Sequence, residues 1–105
     1  KFNHPNLKAN YDTGNSSGIG YDCREELQSY GRWIKTIHIK DRLIKNGTKP
    51  LGYGSAKFKY FFNELSKLNY NGSIILQTAR EKNEETTAIK NINFVVKYLD
   101  KYKII

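Results

Sequence analysis

Trp33-Ile34-Lys35-Thr36-Ile37-His38-Ile39 runs into Lys40-Asp41-Arg42 and then into a polar stretch that holds Gly47, Pro50, Gly52 and Gly54. The first seven residues are dense in β-branched and aromatic types, which suit a pleated, half-buried strand. Residues 40–54 read as a long loop. The rhythm then changes. Phe58, Phe61, Phe62, Leu65 and Leu68 recur at the spacing of one helical face. Ser55 stands ahead of them as a candidate helix cap. A strand, a loop and an amphipathic helix make one β/α unit.

The same unit recurs on both sides. Toward the N-terminus, residues 7–12 (LKANYD) alternate: Leu7, Ala9 and Tyr11 on one face, Lys8, Asn10 and Asp12 on the other. Residues 13–20 (TGNSSGIG) read as a small-residue loop. Asp22 with Glu25 three positions on forms a capping box, so a short helix is predicted to about Tyr30, stopped by Gly31. Toward the C-terminus, Asn71-Gly72 marks a turn and residues 73–78 (SIILQT) a third strand. A last helix is predicted from about Glu84 to Tyr102, with Ala88, Ile92, Val95, Val96 and Leu99 on one stripe.

Alternating strands and helices imply an α/β fold with parallel strands and right-handed crossovers. A three-stranded parallel sheet leaves two open edges and one bare face, whereas parallel sheets are ordinarily covered on both faces or closed into a barrel. The expectation is therefore the C-terminal β/α units of a (β/α)8 barrel, one domain over residues 1–105, as a fragment of a larger protein. The chain contains no Met and begins Lys1-Phe2, which favours the same expectation.

Composition narrows the function classes. A chain of 105 residues holds one domain at most. No apolar run approaches the roughly 18 residues of a membrane span, and no basic-then-apolar leader is visible, so neither a membrane nor a secretory route is expected. Cys23 is the single cysteine, which excludes an internal disulfide framework and a cysteine-based zinc cage. A reducing cytoplasm is the expected compartment. The net charge of +8 is spread along the chain without a block of like charges, as on a solvated basic surface. No nucleic-acid partner is expected. A small basic module that folds alone and binds anions or nucleic acid is the alternative class, with salt-sensitive binding as its mark. Phe58, Phe61 and Phe62 are expected in the core rather than on a stacking platform. Cys23, near a helix start, is either a packed residue or a thiol of lowered pKa.

The chemistry gathers at the strand ends. The first strand ends at Asp12, the second carries His38, the third carries Gln77. In a β/α barrel their polar face is the interior, and the C-terminal mouth holds the active site. Asp, His and Gln bring oxygen and nitrogen donors that suit a divalent cation of the Mn, Mg, Co or Zn type. Each residue also has a plain structural role open to it: Asp12 bonding the amides of the Thr13-Gly14 turn, His38 satisfied by a backbone carbonyl, Gln77 as a hydrogen-bonded core amide. Lys40 and Arg42 follow His38 and are candidates to meet an anionic or polyhydroxyl substrate, or are solvated loop charges. Asp41 is a candidate to orient His38 or a basic neighbour. Gly52 and Gly54 let backbone amides approach a ligand, or simply form a turn.

The segments Asn10-Tyr11-Asp12-Thr13-Gly14-Asn15, Ile37-His38-Ile39-Lys40-Asp41-Arg42, Pro50-Leu51-Gly52-Tyr53-Gly54 and Ile75-Leu76-Gln77-Thr78 resemble, in order, the C-terminal half of the sugar phosphate isomerase/epimerase family, the xylose isomerase-like TIM barrels. The resemblance runs from about Leu7 to Leu99. It implies strands six to eight of the barrel, with Asp12 and His38 as metal ligands and Gln77 standing where a second Glu ligand and base usually stands. It implies a metal-dependent isomerase or epimerase acting on a sugar or sugar phosphate through an enediolate, with the metal as Lewis acid. The remainder of the barrel, or a homo-oligomer, is the implied partner, and the fragment alone is expected to be inactive. An amide cannot accept a proton near neutral pH, so the catalytic base is left unassigned. A non-catalytic, degenerate barrel is the reading that Gln77 keeps open. A related metal phosphodiesterase would need more histidines than His4 and His38.

Overall fold

In the computed structural model, residues 8–104 are described. Leu7 and His4 lie outside them. The chain folds as β1 (Ala9–Asp12), α1 (Thr13–Gly18), α2 (Cys23–Tyr30), a 3-10 turn (Gly31–Trp33), β2 (Ile34–Ile39), β3 (Asp41–Arg42), β4 (Thr48–Lys49), α3 (Phe58–Lys67), β5 (Ser73–Leu76) and α4 (Glu84–Lys101).

The β/α alternation of the sequence is present, with corrections at its joints. The predicted loop over residues 13–20 begins with a helix instead. Asp12 caps α1, its carboxylate accepting from the Asn15 N–H at 2.7 Å. A side chain that satisfies an orphan amide of the first turn lets even a Gly- and Ser-rich stretch start a helix. Asp22 caps α2 as expected, though its carboxylate accepts from the Arg24 N–H. Trp33 belongs to the 3-10 turn rather than to β2. The long loop after Ile39 contains the antiparallel pair β3–β4. Ser55 does not cap α3. The capping position is Lys57, without a side-chain bond, and the Ser55 hydroxyl instead accepts from the Ile44 N–H at 2.9 Å.

The three longer strands form a parallel sheet in the order β1-β2-β5, with β1 and β5 at its edges. Asp12 lies opposite His38, and His38 opposite Ile75. Alternation sends Tyr11, Ile37 and Ile39 toward the helices, where all three are buried. Phe58, Phe61, Phe62 and Leu65 of α3 are buried against them, so the aromatic stripe is core, as its spacing predicts. Tyr11 stacks on Phe61 at 5.5 Å between centroids, and Phe62 stacks on Tyr98 of α4 at 5.0 Å. Truncating one of these buried rings to alanine costs about 3–5 kcal/mol.

The stripe of α4 is rotated from the predicted one. Val95 is buried and Leu99 half-buried, but Ala88, Ile92 and Val96 are exposed. The inward face runs instead through Asn91, Phe94, Val95 and Tyr98. Two contacts set that rotation: Phe94 meets Phe58 edge-on at 5.3 Å, and Asn91 donates to the Thr78 hydroxyl at 2.8 Å. The opposite face of the sheet carries no helix among the described residues, and Ile75 on it is 44% exposed. Among the described residues no helix is long and apolar enough to cross a membrane.

Candidate metal centre at the strand ends

Three adjacent parallel strands end at one level, and the sequence sets polar residues there. Asp12 is the last residue of β1 and is half-buried. One of its oxygens, Oδ1, is engaged by the Asn15 amide, so the plain structural role is real, and among the described residues no hydrogen bond engages Oδ2. His38 sits opposite it on β2, about one interstrand spacing of 4.8 Å away. Gln77 follows β5 directly, and its N–H donates to the Ile39 carbonyl at 2.9 Å, continuing the sheet by one bond. His38 Nδ1 and Gln77 Oε1 lie 3.1 Å apart. With the amide oxygen accepting, Nδ1 carries the proton.

By donor type these three side chains could hold a divalent cation. The 3.1 Å between His38 Nδ1 and Gln77 Oε1 is a hydrogen-bond distance, which leaves His38 Nε2 and the side-chain oxygens of Asp12 and Gln77 as the atoms that could hold a cation. The set of one carboxylate, one imidazole and one amide oxygen suits a cation of the Mn, Mg, Co or Zn type. Among the described residues, no three His, Cys, Asp or Glu side chains are grouped so as to hold a metal ion; Asp12 and His38 bring two such residues, with the Gln77 amide beside His38.

The neighbours divide the work differently from what the sequence suggests. Asp41 does not orient His38. It has no exposed surface, and its carboxylate accepts from the backbone N–H groups of Arg42, Gly52, Gly54 and Ala56 at 2.9–3.0 Å. Burying a carboxylate is costly unless its oxygens are hydrogen-bonded in this way. The amides of Gly52 and Gly54 thus serve Asp41, and a methyl group at Gly54 would collide with that carboxylate. The Arg42 guanidinium donates twice to the Asn46 carbonyl, at 2.8 and 3.1 Å, and lies beside Gly18. The Lys40 stem covers Gly14, where a Cβ would come within 2.7 Å of it. Thr13, overlooked in the sequence, bonds both the N–H and the carbonyl of Lys40.

A cavity of about 160 Å³ opens on the helix side of the sheet, lined by Tyr11, Ser16, Cys23, Ser55 and Lys57 among others. Asp12, His38 and Gln77 do not line it. Beneath it the Glu26 carboxylate accepts from the hydroxyls of Tyr11, Ser16 and Tyr30, tying β1 and α1 to α2. Burial pushes the Cys23 thiol up to about 11, so it is a protonated, packed residue and not a thiolate. Burial raises the Tyr11 and Tyr30 hydroxyls too.

Comparison with known proteins identifies the family and the fold. The family described as xylose isomerase-like TIM barrel matches residues 1–98. A putative L-ribulose-5-phosphate 3-epimerase, SgbU, of Haemophilus influenzae is 35% identical over 91 residues, which is 80% of this chain and 32% of that protein. Its namesake in Escherichia coli K12 is 36% identical over 81 residues, covering 70% of this chain and 28% of that one. The L-ribulose-5-phosphate 3-epimerase UlaE of Escherichia coli is 31% identical over 90 residues. The chain thus spans about a third of the length of these relatives. A crystal structure of a xylose isomerase domain protein from Planctomyces limnophilus superimposes with a TM-score of 0.78. It covers 96% of this chain and 40% of its own, and at 22% identity it shows the fold alone. With residues 1–98 matched, the chain belongs to the xylose isomerase-like TIM barrel family.

Proposed function

We propose that the protein carrying this chain is a metal-dependent isomerase or epimerase of a sugar or sugar phosphate, and that this chain supplies three strand ends of its active site. The observation that carries the reading is the meeting of His38 Nδ1 and Gln77 Oε1 at 3.1 Å, one strand away from Asp12. The relatives named as L-ribulose-5-phosphate 3-epimerases support a sugar phosphate as the substrate class. Among the described residues β1 and β5 have open edges and one sheet face is bare, which supports a larger barrel over a self-contained basic module.

Asp12 would hold the cation through Oδ2, the oxygen that Asn15 leaves unengaged. His38 would contribute a ring nitrogen and Gln77 its amide oxygen. When bound, the cation supplies Lewis-acid stabilisation of negative charge developing on a substrate oxygen. That is the charge that appears when a proton leaves a carbon beside a carbonyl and an enediolate forms. Gln77 itself cannot take that proton. The base therefore comes from another part of the protein, and this chain's residues bind and orient. Lys40 and Arg42, on the segment after His38, place positive charge near the strand ends for an anionic or polyhydroxyl substrate, and Arg42 keeps further N–H donors beyond its bonds to Asn46. A charged sugar phosphate does not leave a cell through its membrane, which suits a cytoplasmic enzyme. On this reading the 105-residue chain by itself is inactive.

The test is proton exchange. The longest natural form of the protein, with Mn²⁺ and L-ribulose 5-phosphate in D₂O, is expected to place deuterium on the carbon beside the carbonyl, read by NMR. The amide at Gln77 favours one competing reading, a barrel that binds its cation without catalysis. Mn²⁺ uptake with no exchange across a panel of ketoses and their phosphates would establish that reading instead.

A further inference from the structure

The strand ends are held in register partly by a side chain. The backbone leaves β1 at Asp12 and turns into α1 at Thr13, so the main chain of Thr13 no longer offers β2 a partner. That would leave the flank of β2 open just beyond His38. The Thr13 hydroxyl fills it. It accepts from the Lys40 N–H at 2.9 Å, donates to the Lys40 carbonyl at 2.7 Å, and lies 3.5 Å from the His38 carbonyl. At 5% exposure Thr13 is buried, and water is poorly placed to stand in for it. On the other flank of β2, the Gln77 N–H bonds the Ile39 carbonyl. The peptides just after His38 are thus clasped from both neighbouring strands.

We infer that Thr13 is a positioning residue: by clasping Lys40, it holds the strand ends that carry Asp12 and His38 in fixed relation, so that both side chains can reach one divalent cation. The inference rests on the metal reading proposed above. Thr13 is covalently joined to Asp12, and its two bonds fall on the residue two beyond His38, so it adds a side-chain link, beside the β1–β2 ladder, between the two strand ends that carry those donors. A hydroxyl suits the task because it donates and accepts at once. Valine has the same shape and can do neither.

The experiment measures Mn²⁺ affinity by calorimetry on the longest natural form of the protein, as wild type, Thr13→Val and Thr13→Ser, with the metal-free melting temperature of each. Phe62→Leu, a core change away from the strand ends, shows what destabilisation alone does to affinity. Thr13→Ser is expected to bind within about twofold of wild type, and Thr13→Val to lose about ten- to a hundredfold, the usual effect of removing a group that orients a metal ligand. Phe62→Leu is expected to melt earlier with its affinity unchanged. Wild-type affinity in Thr13→Val, or an equal loss in Thr13→Ser, overturns the inference. Should the valine variant not fold, Thr13→Ala, which also lacks the hydroxyl, takes its place: affinity lost upholds the role of the hydroxyl, affinity kept overturns it. A wild type that takes up no Mn²⁺ overturns the metal reading and this inference with it, whereas the variant results overturn the inference alone.

Discussion

Replacing Asp41 by asparagine puts an NH₂ group where a carboxylate oxygen now accepts. Oδ1 receives the N–H groups of Arg42 and Ala56, and Oδ2 those of Gly52 and Gly54. Whichever way the amide turns, two backbone donors then face another donor. The side chain has no exposed surface, so water does not relieve them. A hydrogen bond to a charged acceptor contributes about 1.5–3 kcal/mol, and a buried donor left without a partner costs about 1–3 kcal/mol. Two orphaned amides, with a neutral acceptor for the other two, give a loss of about 3–5 kcal/mol, a large share of the roughly 5–15 kcal/mol of a small domain. Urea unfolding measures the loss, and amide hydrogen exchange at Gly52, Gly54 and Ala56 locates it. Asp22→Asn, at the exposed cap of α2, is the control and should cost only a few tenths of a kcal/mol, since asparagine caps as well as aspartate. An Asp41→Asn protein within about 0.5 kcal/mol of wild type, with unchanged exchange at those three amides, would refute the reasoning.

Three further outcomes follow from the same structure. Gln77→Glu adds a negative charge beside His38 and is expected to tighten Mn²⁺ binding by about tenfold, measured by calorimetry; equal or weaker binding would count against Gln77 as a donor. Burial holds the Cys23 thiol up to about 11, from an ordinary value of 9.0, and the Tyr30 and Tyr70 hydroxyls up to about 12, from 10.0. Raised folded-state values mean that their contribution to stability is complete below about pH 9 and lost as pH climbs through 11 to 12. Thermal melts between pH 8 and pH 12 should show that fall, and a flat profile would contradict it. The 105-residue chain alone, with β1 and β5 as open edges, is expected to associate with rising concentration in sedimentation runs; a concentration-independent monomer with sharp two-state unfolding would oppose this.

The β/α order was legible because each element carries a strong local period. Residues 34–39 and the stripe from Phe58 to Leu65 needed no tertiary information. The strand-end level of Asp12, His38 and Gln77 was legible too, since alternation and parallel register follow from the same pattern. Details that depend on distant partners were not. Asp12 as a cap for α1 was visible in type but hidden by the glycines and serines after it. The role of Asp41 depends on amides eleven to fifteen residues away, and its signal was Gly52-Tyr53-Gly54, where only glycine fits against a carboxylate. The rotation of α4 was hidden because its inward face includes a polar residue, Asn91, that hydropathy assigns outward. Thr13 looked like loop composition, whereas its hydroxyl acts as a strand partner.

The metal centre is the claim on which the functional account stands, and Mn²⁺ binding tests it most directly. The longest natural form of the protein is titrated with Mn²⁺ by calorimetry, beside Asp12→Ala and His38→Ala. The account predicts one site in the wild type, a metal-dependent rise in melting temperature, and the loss of both in each variant. A well-folded wild type without Mn²⁺ uptake, or variants that bind as it does, would contradict it.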